Sequence, residues 1–462
     1  MANDFEKFKE QVRVHFGPHF LTEDKADLKE YGKDWTKVYE PDPSAVAFPK
    51  STEEVSKLMK LAYEYNIPVV PSGGRTGLAG GAVAKNKELV VSLTKMRKMG
   101  EPDVRSLTLQ VEAGVITQAV HQHCEPYGLT WPVDFASKGS SHVAGNIATN
   151  AGGIRVLRYG LTRNWVLGLT VVTPDGEVLE LNGALEKNNT GLDLRQLFIG
   201  TEGTLGIITE AILKLHRLPQ KLDTLMFSVE SLDHVLQLFE EARRGPFTLM
   251  AYEFLTDACL SRVIRNRGFP LPFQNRTDCY VVMEAEEAKD LDSWLERLFD
   301  LGIVKEGLLA QNPKQVAEFW AYREGVAESL FATGLPHKND VAIPINQIAG
   351  FCSEMDAFFS SHYPGWEICN FGHIGDGNFH INIMKPDSVS KEEFLQKTHV
   401  VDHDLFKLVN KYKGSISAEH GIGLLKKDFL NYSRTQSEIA YFRAIKKIFD
   451  PKNLLNPGKI FD

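Results

Sequence analysis

Five glycines fall within the eleven residues Pro71-Ser72-Gly73-Gly74-Arg75-Thr76-Gly77-Leu78-Ala79-Gly80-Gly81, directly after the apolar segment Ile67-Pro68-Val69-Val70. Where side chains are absent, backbone can approach a ligand or another segment closely. The loop has neither GxGxxG nor GxxxxGK[ST] spacing, and no clear helix starts behind it. Phosphate contacts would then come from successive backbone N–H groups forming a nest, not from a helix terminus. Taken alone, the loop reads equally well as a glycine-rich turn at a sheet edge. A second stretch changes that balance: Lys138-Gly139-Ser140-Ser141-His142-Val143-Ala144-Gly145-Asn146-Ile147-Ala148-Thr149-Asn150-Ala151-Gly152-Gly153 is built almost entirely of small or hydrogen-bonding residues. The amides of Asn146 and Asn150 and the hydroxyl of Thr149 offer donors and acceptors for a heteroaromatic edge. Two such stretches suggest a large dinucleotide, one for the pyrophosphate and one for the ring system.

The elements around the loops define the domain. Residues 3–16 read as an opening helix with Phe5, Phe8 and Val12 on one side. Ala45-Val46-Ala47-Phe48 is a short strand. Ser51 and Glu54 have capping-box spacing, and Val55, Leu58, Met59 and Ala62 follow at helical intervals, so a helix runs to about Asn66. Residues 67–70 and 89–93 are strands, which gives β-α-β, glycine loop, β, the order of an α/β domain. Alternation over 107–113, a helix over 117–125, a hairpin over 165–181 about Asp175-Gly176 and a strand region over 204–215 follow. Beyond about 217 the glycine density falls. Helices over 231–243, 313–331 and 397–412 then alternate with strands over 247–254, 279–284 and 339–343. The expected organisation is an N-terminal helical segment (1–37), a cofactor-binding domain (38–217), an α+β substrate or cap domain (218–410) and a segment returning to the cofactor site (411–462).

Composition excludes several classes. The 462 residues carry 52 Lys plus Arg against 60 Asp plus Glu, a net charge of −8, which argues against a nucleic-acid partner. No apolar run approaches the roughly 18 residues a membrane span needs. The acidic, amphipathic start has no signal or transit character. Five scattered cysteines without a CxxC pair suit the cytoplasm or an equivalent reducing compartment.

The most informative run is Phe371-Gly372-His373-Ile374-Gly375-Asp376-Gly377-Asn378-Phe379-His380-Ile381-Asn382-Ile383. Asp-Gly between alternating residues signals a two-residue hairpin turn. That register pairs Gly375 with Asn378, Ile374 with Phe379 and His373 with His380. Opposed residues share a face with Cβ atoms about 5 Å apart. Ile374, Phe379, Ile381 and Ile383 then face the core, while His373, His380 and Asn382 lie together on the other side. Two imidazoles so placed suit one metal ion. Ser417-Ala418-Glu419-His420-Gly421-Ile422-Gly423 offers a carboxylate and another imidazole. Two histidines plus a carboxylate leave an open position, as at catalytic zinc, and suit iron or manganese as well. HExxH is absent, which argues against a zincin protease. Val316, Phe319, Trp320, Arg323, Ala327 and Leu330 fall on one helical stripe, so Arg323 is a charge on an apolar face. It is either a snorkelling arginine or a bidentate clamp for a carboxylate. Lys338 and Asp340 share a strand face and read as a surface ion pair if they have no ligand.

The Pro-Ser-Gly-Gly-Arg-Thr-Gly-Leu loop, the Gly145–Gly153 stretch, Ile199-Gly200-Thr201-Glu202-Gly203-Thr204-Leu205-Gly206-Ile207-Ile208-Thr209 and the closing Asn453-Leu454-Leu455-Asn456-Pro457-Gly458-Lys459-Ile460 resemble the FAD-binding domain of vanillyl-alcohol-oxidase type flavoproteins. The resemblance runs from about residue 38 to the C-terminus. It implies a two-part FAD-binding domain of mixed α/β and α+β character followed by an α+β substrate domain. FAD would be held by Pro71, Ser72, Gly73, Gly74, Arg75, Thr76, Gly77 and Leu78 in the loop. Pro132, Asp134, Gly139 and Ser140 would follow, then Gly145, Asn146, Thr149, Asn150, Gly152 and Gly153, then Glu202, Gly206, Ile207 and Asn456. Members that attach FAD covalently often carry a histidine in the glycine loop; here that neighbourhood holds Arg75, so noncovalent FAD is expected.

The hairpin and the Glu419-His420 run resemble the metal motifs of the D-2-hydroxyacid dehydrogenase branch. That similarity implies His373, His380 and Glu419 as ligands of one divalent ion, zinc being the expected one, and His420 as catalytic base. Arg323, Lys338, Asn382 and His420 match substrate residues of the enzymes that oxidise D-2-hydroxyglutarate, whereas Ala327 stands where those enzymes tend to have threonine. D-lactate or glycolate oxidation on the same scaffold is the nearest alternative. A metal-dependent nucleotide hydrolase and a non-enzymatic flavin carrier are more distant ones. The electron acceptor stays open between an electron-transfer flavoprotein, a quinone or another carrier, and a homodimer is one of the oligomeric states left open.

Overall fold

The computed structural model describes residues 2–461, and the chain divides into two compact units. The first contains residues up to Gly152, Gly160–Leu218 and the return from Glu419; the second contains Gly153–Tyr159 and Pro219–Ala418. The N-terminal 37 residues, read from sequence as a separate segment, fall in the first unit, and the return begins at 419 instead of 411.

In the first unit the opening helix Ala2–Phe16 buries Phe8 and Val12 completely. Ser51 caps the helix Thr52–Glu64 by accepting the Glu54 N–H, while the Glu54 carboxylate accepts from Lys50 and not from Ser51, so the box is half formed. This helix buries Val55, Leu58, Met59 and Ala62, the stripe its periodicity marks. A four-stranded sheet has the order Leu21–Thr22, Ala45–Ala47, Leu89–Ser92, Val69–Ser72, its last three strands parallel. Parallel strands require a crossover, and the helix Thr52–Glu64 supplies it between Ala45–Ala47 and Val69–Ser72. A second, antiparallel sheet has the order Thr108–Glu112, Ile207–Lys214, Val166–Val172, Val178–Leu181. Its hairpin turns about Asp175-Gly176, with Val172 opposite Val178 and the Thr173 N–H donating to the Glu177 carbonyl, so the loop is one residue longer than a two-residue Asp-Gly turn.

The second unit is built on a seven-stranded antiparallel sheet in the order Glu306–Leu309, Leu222–Val229, Cys279–Glu286, Thr248–Thr256, Ile368–Gly372, Asn378–Met384, Pro336–Ala342. Every residue of the strand Cys279–Glu286 is buried. Helices Asp257–Arg267 and Pro313–Glu324 cover one part of the sheet through a core that includes Leu260, Val263, Tyr280, Val282, Phe319 and Trp320. The helix expected over 313–331 is two helices, Pro313–Glu324 and Val326–Ala332, interrupted at Gly325. No helix among the described residues is long and apolar enough to cross a membrane.

Candidate active site

The glycine loop leaves the end of the strand Val69–Ser72 and runs without a helix to Leu89, as its spacing indicates. Gly74 needs its missing side chain, because a Cβ there would lie 2.3 Å from the Ser140 carbonyl. The loop is thus packed on the Gly139–His142 segment, bringing the two glycine-rich stretches together. At Gly145 a Cβ would meet nothing within 4 Å. Ser72 Oγ, His142 Nδ1 and Asn456 Oδ1 are buried without a hydrogen-bond partner among the described residues. Buried polar atoms normally find partners, so a polar ligand at this end of the sheet fits the residues present. His142 is held neutral, its pKa depressed to about 4 by burial and by Arg97 and Arg75.

Several residues expected at the cofactor have other partners. Arg75, at φ +59°, turns toward the helix Lys25–Tyr31: Nη2 lies 3.2 Å from Glu30 and the guanidinium carbon 4.6 Å from the Tyr31 ring centre. Asn146 Nδ2 donates to Thr117 Oγ1 at 2.6 Å, Thr149 Oγ1 to the Gly145 carbonyl at 3.0 Å, and Asn150 Oδ1 accepts the Arg163 N–H at 3.0 Å. These three groups brace the short helix Val143–Thr149 and its end. Asp134 pairs with Lys138 at 2.7 Å, beyond Pro132. Thr76, Gly77 and Leu78 continue the loop. Gly206 sits against Val171 and Phe198 in the core, and Ile207 begins a strand. Gly152 closes the first stretch of the first unit and Gly153 opens the second unit.

The return segment is fastened to the same unit. Glu202 is half-buried; its Oε1 accepts the Ile422 N–H at 2.7 Å and its Oε2 the Gly423 N–H at 2.8 Å. Burial nevertheless raises its pKa to about 6. Gly421, at φ +79°, has no room for a Cβ, which would lie 2.7 Å from Glu202 Oε1. Glu419 and His420 precede this anchor, with His420 Nε2 3.8 Å from Glu419 Oε1. Asn456 Nδ2 donates to the carbonyls of Gly81 and Glu202.

In the second unit the hairpin departs from its expected register. Phe371, not His373, opposes His380, and Cys369 opposes Asn382. A 3₁₀ turn over Ile374–Asp376 replaces the two-residue turn, and His373 lies outside the strand, its carbonyl accepting from Asp376 and Asn378. The shift is two residues, so the alternation survives: Phe379, Ile381 and Ile383 are fully buried on the core side. The imidazoles of His373 and His380 still meet, with ring centres 5.3 Å apart.

Each of these rings has a carboxylate at Nδ1. His373 Nδ1 lies 2.7 Å from Glu253 Oε1, a hydrogen bond, and His380 Nδ1 lies 3.6 Å from Asp340 Oδ1, an ion-pair distance. A histidine engaged at Nδ1 by a carboxylate is oriented to ligate through Nε2, so this donor set fits a metal. Asp340 is not a surface residue: it is buried, accepts from Asn378 Nδ2 at 2.7 Å and from the Ala418 N–H at 3.1 Å, and stands opposite His380 in the sheet. Ala418 immediately precedes Glu419 in the chain.

Arg323 is buried, with Nη2 2.7 Å from Glu253 Oε2 and its guanidinium carbon 4.7 Å from the Phe371 ring centre. Lys338 opposes Asn382, whose Nδ2 donates to the Cys369 and His380 carbonyls. The Lys338 ammonium stands 4.1 Å from the Phe331 ring centre, and the protein packed around it lowers its pKa to about 8, although the residue is exposed and water moderates that displacement. Glu253 carries no spacing signal; its only mark in the sequence is a charge within the apolar run Leu249–Leu255.

Residues 43–182 match the FAD binding domain family, and residues 218–460 match the family of FAD linked oxidases, C-terminal domain. The chain belongs to the FAD linked oxidases and is a flavin-dependent oxidoreductase with the vanillyl-alcohol-oxidase type fold. It is 44% identical over 459 residues to a D-2-hydroxyglutarate dehydrogenase of Stutzerimonas stutzeri (98% of each chain). It is 46% identical over 448 residues to one of Xanthomonas citri pv. viticola (96% of this chain, 94% of the relative). Among solved structures, 4-ethylphenol oxidase from Gulosibacter chungangensis superposes with a TM-score of 0.76 at 17% identity, covering 100% of this chain and 98% of the other, a likeness of fold alone.

Proposed function

We propose that the chain oxidises D-2-hydroxyglutarate to 2-oxoglutarate, using noncovalent FAD and one divalent metal ion, zinc, held by His373, His380 and Glu419. The observation that carries the substrate is the second cation: Lys338 stands in the sheet row of Asn382, apart from the Arg323–Glu253 pair. A monocarboxylate needs one cation, and a dicarboxylate rewards two. The near-full-length relatives named D-2-hydroxyglutarate dehydrogenase support the same substrate. FAD, when bound, supplies the acceptor for the C2 hydride, and a divalent ion supplies positive charge that acidifies the C2 hydroxyl. His420 receives the hydroxyl proton on its imidazole. Arg323 holds the carboxylate shared by all 2-hydroxyacids, Lys338 the distal one, and Asn382 orients the substrate between them. The site residues named from sequence at the flavin keep that role, with the braced Asn146, Thr149 and Asn150 presenting backbone to the ring.

Ala327 supports a second reading. It packs against the core of the second unit and offers no hydroxyl, so D-lactate or glycolate would lose no hydrogen bond there. The electron acceptor is an electron-transfer flavoprotein or a quinone, and five cysteines that are all free and buried suit a reducing compartment. Assay with a dye acceptor on D-2-hydroxyglutarate, D-lactate, D-malate and glycolate decides between the substrates. D-2-hydroxyglutarate should give the highest kcat/KM by at least about tenfold, the value of one cation–carboxylate hydrogen bond. Equal or higher values for D-lactate or glycolate would establish the second reading. The protein should also be yellow and release intact FAD on denaturation.

A further inference from the structure

We infer that Glu253 is a positioning residue that fixes Arg323 and His373 with one carboxylate, so that the carboxylate clamp and the metal ligand are set together. Glu253 lies in the strand Thr248–Thr256 and is fully buried. Register explains its reach: Phe254 opposes Gly372 and Leu255 opposes Phe371, so one step further along the two antiparallel strands brings Glu253 beside His373. Its Oε1 takes His373 Nδ1 at 2.7 Å and its Oε2 stands 2.7 Å from Arg323 Nη2. The Arg323 contact is an ion pair without an aligned hydrogen bond, and Arg323 Nε and Nη2 are both buried with no hydrogen-bond acceptor among the described residues. A buried guanidinium with unmatched donors is held ready for a further anion, and a substrate carboxylate supplies one. The Phe371 ring lies beneath this guanidinium and 4.9 Å from the His380 ring centre, so it fills the space between the clamp and the second histidine. Removing the Glu253 charge frees both neighbours at once: His373 loses the carboxylate at its Nδ1, and Arg323 loses its ion-pair partner.

This inference rests on the metal and substrate reading above, and the experiment separates the two. The FAD-loaded full chain is titrated with Zn2+ against a competing chelator, and KM and kcat are measured for D-2-hydroxyglutarate and D-lactate. Glu253→Gln should weaken Zn2+ binding by about ten- to a hundredfold, the usual consequence of removing a partner of a ligating histidine. It should also raise KM for both substrates, since Arg323 serves their common carboxylate. Glu253→Asp, which keeps the charge but is one methylene shorter, should lie between Glu253→Gln and the parent in both measurements. A Glu253 that serves only the fold would lower Tm and leave Zn2+ affinity and KM unchanged. That result in either FAD-loaded variant overturns the inference, and so does failure of both variants to fold with FAD. If His380→Ala retains Zn2+ at parental affinity, the metal reading itself fails, whatever Glu253 does.

Discussion

At the scale of single residues, Lys338, proposed above to hold the distal carboxylate, is the residue expected to separate substrates that differ at one end. A charge-assisted hydrogen bond contributes about 1.5–3 kcal/mol, and about 1.4 kcal/mol is a factor of ten. Lys338→Ala should therefore cut kcat/KM for D-2-hydroxyglutarate by roughly ten- to a hundredfold and leave that for D-lactate nearly unchanged, whereas Arg323→Ala should harm both. The lowered pKa of Lys338, about 8, adds a pH test. The ammonium loses its charge on the alkaline side of that value, further up where water reaches the exposed side chain, so the preference for the dicarboxylate should be present at pH 7 and decline as pH rises past about 8. The ratio of the two kcat/KM values, which reports the free enzyme, follows it directly; a ratio flat from pH 6 to 9.5 would remove Lys338 from the distal carboxylate. Arg323 was visible in sequence as a charge on an apolar stripe. Glu253 was not, because its partners lie 70 and 120 positions away and only the sheet brings them together. Asp340 was visible only as half of a Lys-x-Asp strand pair, whose solvated alternative gives way once Asn378 and the Ala418 N–H are in place.

Among the elements, the hairpin and the return loop carry separate tests. His380→Ala should lose the bound metal and most activity yet keep FAD, because the hairpin belongs to the second unit and the flavin cradle to the first. Metal analysis and the visible spectrum read the two halves of that statement, and normal metal content with normal turnover would refute it. Glu202→Ala removes the acceptor of the Ile422 and Gly423 N–H groups. With about 1.5–3 kcal/mol at stake in each bond, amide hydrogen exchange in the peptide spanning 419–425 should accelerate at least about tenfold, and kcat should fall because His420 lies on that loop; unchanged exchange would show the loop is held elsewhere. The glycine loop, the β-α-β order before it and the hairpin about Asp175-Gly176 were all legible, since each depends on local turn chemistry or periodicity. The histidine hairpin was legible in its faces but not in its register. An Asp-Gly pair normally sits in a two-residue turn, and here a 3₁₀ turn took three further residues, moving His373 out of the strand without changing which side the strand buries. Gly325 likewise ended a helix whose apolar stripe continued past it.

For the whole molecule, the first unit is assembled from distant parts of the chain. Val69 donates its N–H to the Leu454 carbonyl at 2.7 Å and accepts the Asn456 N–H at 2.6 Å, so the strand feeding the glycine loop is flanked by the closing motif. Lys446 Nζ, buried, donates to the carbonyls of Thr204 and Leu455 and to Asp450. A chain of residues 1–218 alone should therefore not retain FAD, even though it contains both glycine-rich stretches; a yellow 1–218 protein with parental FAD affinity would show that the return is dispensable. The same discontinuity sets an order of events during synthesis. The glycine loop leaves the ribosome long before Leu454 to Asn456 exist, and the entire second unit is made in the interval. On this reading flavin capture is expected last, after the seven-stranded sheet of the second unit has been made, and a nascent chain stalled before the return should stay colourless.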